Sequence, residues 1–244
     1  GWVRNGKALF DLGRYQDAID SFDNAIALNQ RCIEAFNYKG LALEKVNRID
    51  ESIHTFEILL EIDPRNGAAH YHKGLSLALQ GDHRHAITAF EKTIEILPSF
   101  APAYYHRGIS LIHGGKYLDA IAAFDRALEI NPSCHAAFFW KGRAYFEMGN
   151  FDAAITAFDH ALENTSGTAD VHYYRGRAFA ALDQHREAIR SYDRALEINH
   201  SAKALASKAV SLAELGMSRD ALDTFDKALE EDSNLAEAWI GKGN

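Results

Sequence analysis

Four histidines crowd into residues 70 to 87, HYHKGLSLALQGDHRHAI: His70 and His72, then His83 and His85. Two His-x-His pairs in so short a stretch raise metal chemistry first, because neutral imidazole is the commonest protein ligand for zinc, copper and nickel. Other reactive groupings are thinner. The chain has no phosphate loop, no G-x-S-x-G elbow and no H-E-x-x-H pair, and "HGG" at 113–115 reads as a helix end. Cys32 and Cys134 stand far apart in no C-x-x-C pair, which fits free thiols in a reducing compartment and places the protein in the cytoplasm. Whether the imidazoles converge on an ion depends on the elements that carry them.

A chain of 244 residues with 47% hydrophobic and 25% charged residues has the composition of a folded, soluble protein. Its 26 basic residues face 34 acidic ones, with no local run of Lys or Arg, so a phosphate backbone meets net repulsion and nucleic acid is not expected as a partner. No apolar run approaches the roughly 18 residues that span a bilayer, and the N-terminus lacks a signal-peptide layout, so no membrane association is expected.

The organising feature is an internal repeat. Glycines fall at Gly6, Gly40, Gly74, Gly108, Gly142 and Gly176, at gaps of 34, and the phase resumes after one deletion with Ala209 and Gly243. Four residues before this landmark stand Trp2, Phe36, His70, Tyr104, Phe138, His172, Leu205 and Trp239, mostly large rings. Twelve after it come Ala18, Ser52, Ala86, Ala120, Ala154, Ala188 and Ala221, and four further on Phe22, Phe56, Phe90, Phe124, Phe158, Tyr192 and Phe225, aromatic in all seven copies. Spacings of three and four put each set on one face of an α-helix. Between the two helices of each unit, Gly13, Asn47, Gly81, Gly115, Gly149, Asp183 and Gly216 can take the left-handed conformation that ends a helix. Each unit is therefore a helical hairpin, with helices predicted at about 67 to 80 and 83 to 96 in the third, and fourteen complete helices plus a partial fifteenth overall.

This pattern of a Trp-like ring, Gly, an apolar residue, Ala-x-x-x-Phe and a closing Pro (Pro64, Pro98, Pro132) resembles the tetratricopeptide repeat over essentially the whole chain. The resemblance implies an all-α fold, a right-handed superhelical solenoid of about seven helix-turn-helix repeats forming one array over 1–244. The units run about 1–32, 33–66, 67–100, 101–134, 135–168, 169–201 and 202–235, with a partial unit at 236–244. It also implies protein binding, and with the catalytic motifs absent and no deep, dry pocket expected on a solenoid surface, no enzymatic activity is expected. One departure is a basic residue where the family usually has Leu just before the glycine: Lys39, Lys73, Arg107, Lys141, Arg175, Lys208 and Lys242. The family's Lys and Asn clamp for a C-terminal carboxylate is not matched at Val3, Lys7, Asn37, Tyr38, Tyr71 and His72, and its terminal solvating helix is missing, so the sequence is expected to be a fragment of a longer array.

The register answers the histidine question. His70 and His72 lie two apart on a helix, about 200° around its axis, and face nearly opposite directions. His70 takes the ring slot and His83 the slot of Tyr15, Ile49, Tyr117 and Phe151, so both read as core substitutes. No metal or other cofactor is expected.

Stacked hairpins place first helices on an inner, concave surface. Opposite the hairpin core, the slots three and two before the landmark, and one, four and five after it, are read as mostly free of packing duty. They hold Tyr38, Tyr71, His72, Tyr105, His106, Phe139, Trp140, Arg143, Phe146, Tyr173, Tyr174 and Arg177, where a merely solvated face would carry Glu, Lys and Gln. Tyr, Trp and Arg dominate interface hot spots, so this surface is expected to take a peptide or helix of a partner protein. The alternative is an architectural solenoid that stacks end to end without a specific peptide.

Two further expectations follow from the register. The basic residue before each landmark should pair with an acid seventeen after a landmark (Asp23, Glu57, Glu91, Asp125, Asp159, Asp193, Asp226), on the second helix of its own or the previous unit. And the faces around Trp2, Trp239 and Ile240 should self-associate weakly, end to end.

Overall fold

The computed structural model describes residues 1–163 and 168–243. Among these residues there are fifteen helices and no strand. The chain divides into two compact units, Gly1–Pro132 and Ser133–Asn244. The first holds α1 (Trp2–Asp11), α2 (Tyr15–Leu28), α3 (Ile33–Lys45), α4 (Ile49–Ile62), α5 (Gly67–Gln80), α6 (His83–Ile96), α7 (Ala101–His113) and α8 (Tyr117–Ile130). The second holds α9 (His135–Glu147), α10 (Phe151–Leu162), α11 (Ala169–Ala181), α12 (His185–Ile198), α13 (Ala202–Glu214), α14 (Ser218–Glu231) and α15 (Ala236–Gly243). The helices expected at 67 to 80 and 83 to 96 are α5 and α6.

All seven turns between paired helices use the residue that the repeat register marks. Gly81 has φ 87°, and even the two non-glycines, Asn47 at 60° and Asp183 at 58°, are left-handed. Gly81 N–H donates to Ala78 O at 3.1 Å and Asp82 N–H to Leu77 O at 2.9 Å, the paired bonds that satisfy a helix end in a Schellman turn. Asp82 then accepts from His85 N–H at 3.1 Å and caps the second helix.

The core of each hairpin is the ring sixteen residues after the landmark. Phe22, Phe56, Phe90, Phe124, Phe158, Tyr192 and Phe225 are all buried to 2% exposure or less. A Cβ added at Gly74 would lie 2.6 Å from the Phe90 ring, so this glycine is needed for close approach. The seventh copy carries Ala209 at the landmark, itself fully buried.

Within each unit, first helices touch one another in sequence, α1 with α3, α3 with α5 and α5 with α7, then α9 with α11, α11 with α13 and α13 with α15. No two second helices of a unit do so. Within each unit the first helices thus form a continuous face, and α3, α5, α7, α11 and α13 are each flanked by the second helices of their own and of the preceding repeat.

The ion pairs follow that layout. Lys39 meets Asp23 at 2.5 Å, Lys73 meets Glu57 at 2.8 Å and Arg107 meets Glu91 at 2.9 Å in the first unit. Arg175 meets Asp159 at 2.7 Å, Lys208 meets Asp193 at 2.6 Å, and Lys242 pairs with Asp226 in the second. Each joins a first helix to the second helix of the previous repeat, which decides between the two arrangements that the spacing allowed. The ring slot adds a second tie: Tyr104 OH donates to Pro98 O at 3.1 Å, and Trp239 Nε1–H to Ser233 O at 2.9 Å. His70 Nε2 lies 3.1 Å from Pro64 O, so it is the protonated nitrogen.

Candidate functional site

The four clustered histidines occupy four different environments. His70 ties down the loop before α5, and His72 stacks on the Phe56 ring at 5.8 Å with 17° between planes. His83 lies parallel to His113, centroids 4.3 Å apart, and burial and the neighbouring imidazole both lower its pKa, with Asp82 opposing. His85 Nδ1 is 2.7 Å from the Asp82 carboxylate that caps its helix. Among the described residues no three His, Cys, Asp or Glu side chains come together as a metal site.

On the first unit's face, the candidate residues Tyr38, Tyr71, His72, Tyr105 and His106 are all half-buried. The expectation that their slots are free of packing duty needs correction. Rings two before the landmark lie against the buried ring of the preceding repeat: Tyr38 on Phe22 at 5.9 Å, His72 on Phe56, and His106 on Phe90 at 6.0 Å. Rings three before it lie against the buried ring of their own repeat, Tyr71 at 6.0 Å from Phe90 and Tyr105 at 6.2 Å from Phe124. The physical reason is the double flanking of α3, α5 and α7, which widens their packed stripe beyond the single face that one hairpin requires. Tyr71 and His106, one repeat apart, also meet edge to face at 5.8 Å.

Behind these rings lies a buried polar chain that the sequence reading missed. Ser76 Oγ lies 2.7 Å from Glu44 Oε1 and 3.1 Å from Ser52 Oγ, and Ser52 Oγ lies 3.0 Å from Gly40 O, so the two hydroxyl protons serve three polar contacts. Burial raises the Glu44 carboxyl, and the Ser76 hydrogen bond opposes the shift. His72 Nδ1 is 3.8 Å from Glu44 Oε2, yet burial pushes the imidazole down to about 4, so at neutral pH it is an uncharged ring. Burial lowers His106 in the same way and lifts Tyr71 to about 12, with Glu44 and Tyr105 contributing. This part of the face is aromatic and carries no imidazolium charge from His72 at neutral pH.

The second unit's face differs in charge. Phe139 packs on Phe158 at 6.1 Å and on Tyr174 at 6.0 Å, and Tyr173 on Tyr192 at 6.1 Å, by the same rule as before. Above them the guanidinium of Arg143 sits 4.2 Å from the Tyr174 ring and 5.3 Å from the Trp140 ring. Arg177 lies 4.8 Å from Phe146, 5.4 Å from Tyr174 and 5.8 Å from Tyr173. The two arginines therefore share one ring, each held over aromatic faces by cation–π attraction. Arg143 reaches Glu147 at 3.9 Å, and its buried Nε has no hydrogen-bond partner. Beside Arg177 opens a cleft of about 550 Å³, whose lining includes Ala180, Ala206, Ser207, Val210, Glu214 and Glu237. Ser207, Val210 and Glu214 belong to slots of the same face, two before and one and five after the landmark Ala209. Their signal was the register, and a search for rings stops short of them.

A family model described as "Tetratricopeptide repeat" matches residues 39–102, 84–135, 105–167 and 139–204, and one described as "TPR repeat" matches 6–47. No curated protein matches the chain. Among solved structures, the C-terminal part of a TPR repeat-containing protein from Cytophaga hutchinsonii is similar at 18% identity and TM-score 0.79, over 98% of both chains. A chain of the APC/C hetero-tetramer Cut9–Hcn1 is similar at 18% identity and TM-score 0.71, over 99% of this chain; the present chain spans about half of it, 48%. YrrB, a TPR protein with an unusual peptide-binding site, is similar at 23% identity and TM-score 0.64, over 75% of this chain and 94% of its own. At these identities the likeness shows the fold.

Proposed function

From the premise that the chain belongs to the tetratricopeptide repeat family, we propose that it is a protein-interaction scaffold, with residues 1–244 as one array, whose first-helix face binds a peptide or helix of a partner protein. Repeats of this family typically serve protein–protein interaction, and no catalytic family matches. The observation that carries the reading is the face itself: half-buried Tyr, Trp, Phe and Arg side chains, fixed from below by the buried rings and open above, on consecutive first helices. Side chains held rigid before contact lose little entropy on binding, the condition under which aromatic and arginine residues become hot spots. No described helix is long and apolar enough to cross a membrane. The free thiols of Cys32 and Cys134 keep the cytoplasm as the proposed location, and the net charge of -8 keeps nucleic acid outside the proposed partners.

Affinity capture from the source cell, with mass spectrometry of the bound proteins, tests the reading. A specific partner held by the native chain should be lost on Trp140→Ala and on Tyr173→Ala, and retained by a control at exposed Asp223, Asp223→Ala. Partners insensitive to every change on the first-helix face would refute the groove. A second reading, end-to-end self-association, is favoured by the exposure of Trp2 (46%), Trp239 (56%) and Ile240 (64%). In a repeat stack such faces are covered by a neighbouring repeat of the same chain or of a second copy. Light scattering across a concentration series decides it: a mass that rises with concentration, and stops rising on Trp239→Lys, supports self-association, and a constant monomer mass removes it.

A further inference from the structure

We propose that the face of α9, α11 and α13 recognises a peptide in which an aspartate or glutamate stands beside a bulky apolar residue, the carboxylate binding at Arg143 and Arg177 and the apolar side chain entering the adjoining cleft. This rests on the peptide-binding reading above and narrows it to a ligand chemistry.

The slot one after the landmark is where the two units part. It holds Leu41, Leu75 and Ile109 in the first unit, then Arg143 and Arg177, then Val210. The first repeat also carries a cation there, Lys7, but its Nζ is already committed to Glu34 at 2.5 Å and lies over the Tyr38 ring at 4.7 Å. Arg177 has no carboxylate of the described residues within ion-pair distance, and Arg143 has only Glu147, at the outer limit of contact. Two guanidiniums on adjacent first helices, sharing the Tyr174 ring, thus present donors with little neutralising charge. Surrounding rings hold their planes in place and lower the local dielectric, which strengthens a bidentate bond to a planar anion. In a chain of net charge -8, this is a local attraction for an anion that the molecule as a whole repels.

The cleft beside Arg177 sets the second half of the motif. Ala206 and Ser207 leave room in the two slots where the preceding repeats carry mostly rings, and Val210 beside them stands 45% exposed. A Leu, Met or Phe side chain placed there buries apolar surface against a preformed hollow. Asp183, Glu214 and Glu237 line the same cleft without reaching ion-pair distance of Arg177, and they disfavour a second acid beside the first.

Random-peptide phage display on the whole chain, followed by fluorescence titration of a synthetic enriched peptide, tests the proposal. The enriched peptides should share Asp or Glu adjacent to Leu, Met or Phe. Replacing that acid by its amide, or making Arg177→Gln, should each weaken binding at least about tenfold, and the two together little more than either alone. Arg177→Lys should restore only part of the affinity, because a point charge cannot form the paired bonds. Val210→Glu, at an exposed position that does not bear on folding, should cost at least about tenfold through the cleft. Enriched peptides that lack an acid, or that bind Arg143→Gln and Arg177→Gln as well as the native chain, would overturn the ligand chemistry while leaving peptide binding intact. Failure to enrich any peptide would remove both readings. If phosphoserine in place of the acid binds more than about tenfold tighter, the anion is phosphate and the carboxylate assignment falls.

Discussion

His72 shows how one side chain serves as packing and as a titration probe. Its ring fills the slot that Tyr38 and Tyr174 fill elsewhere, and burial holds its pKa near 4, below the ordinary 6.5. Between those values the unfolded chain takes up a proton that the folded chain refuses, so stability falls as the pH falls through this window. His106, lowered for the same reason, adds to the loss, whereas Glu44, raised by burial, works against it. His72→Phe keeps a ring over Phe56 and removes the titrating group. The melting temperature of this variant should therefore drop less between pH 7 and pH 5 than that of the native chain. Equal drops, measured by circular dichroism, would mean that His72 carries no linkage.

At the level of the helix pair, the fold rests on two glycine requirements of different kinds. Gly81 is left-handed, and Gly81→Ala places a Cβ in a conformation costing roughly 1–2 kcal/mol. Gly74 is helical, but Gly74→Val drives a branched side chain into the buried ring of Phe90 and should cost about 3 kcal/mol by overpacking. Urea titration should show both as lower midpoints at unchanged slope, with a change at exposed Arg84 nearly neutral. Hairpins, turns and the buried ring were legible in the sequence because each is a requirement of one unit, repeated at a fixed period. What lies between units was less so. The slots of Tyr38, His72 and His106 read as open because a single hairpin needs only one packed stripe, and the second flank comes from the preceding repeat. For the same reason the partner of Lys73 had two possible addresses, and spacing alone did not choose Glu57. Arg143 and Arg177 were visible as residue types, but that Tyr174 lies between them is a fact of helix neighbours.

At the scale of the molecule, each described helix meets, within its unit, only those one or two places away in the chain. Perturbations in such a quasi-one-dimensional stack should stay local. Phe90→Ala removes a fully buried ring and should cost about 3–5 kcal/mol. Hydrogen exchange should then rise in α5, α6 and α7 and remain unchanged in α13 and α14; a uniform rise would show one cooperative block instead. The ion-pair rungs are partly exposed and contribute roughly 0–1 kcal/mol each, so 0.5 M salt, about the point at which such pairs are screened, should shift the melting temperature only slightly. One arrangement has a bearing on inheritance. The slots two and three before the landmark are bound to the buried ring, but the slot one after it changes from Leu75 to Ile109, and within the second unit from Arg143 to Val210, while the hairpin underneath stays the same. On the proposed reading of this face, a lineage of such proteins can rewrite what it recognises, one letter per repeat, without renegotiating how it folds.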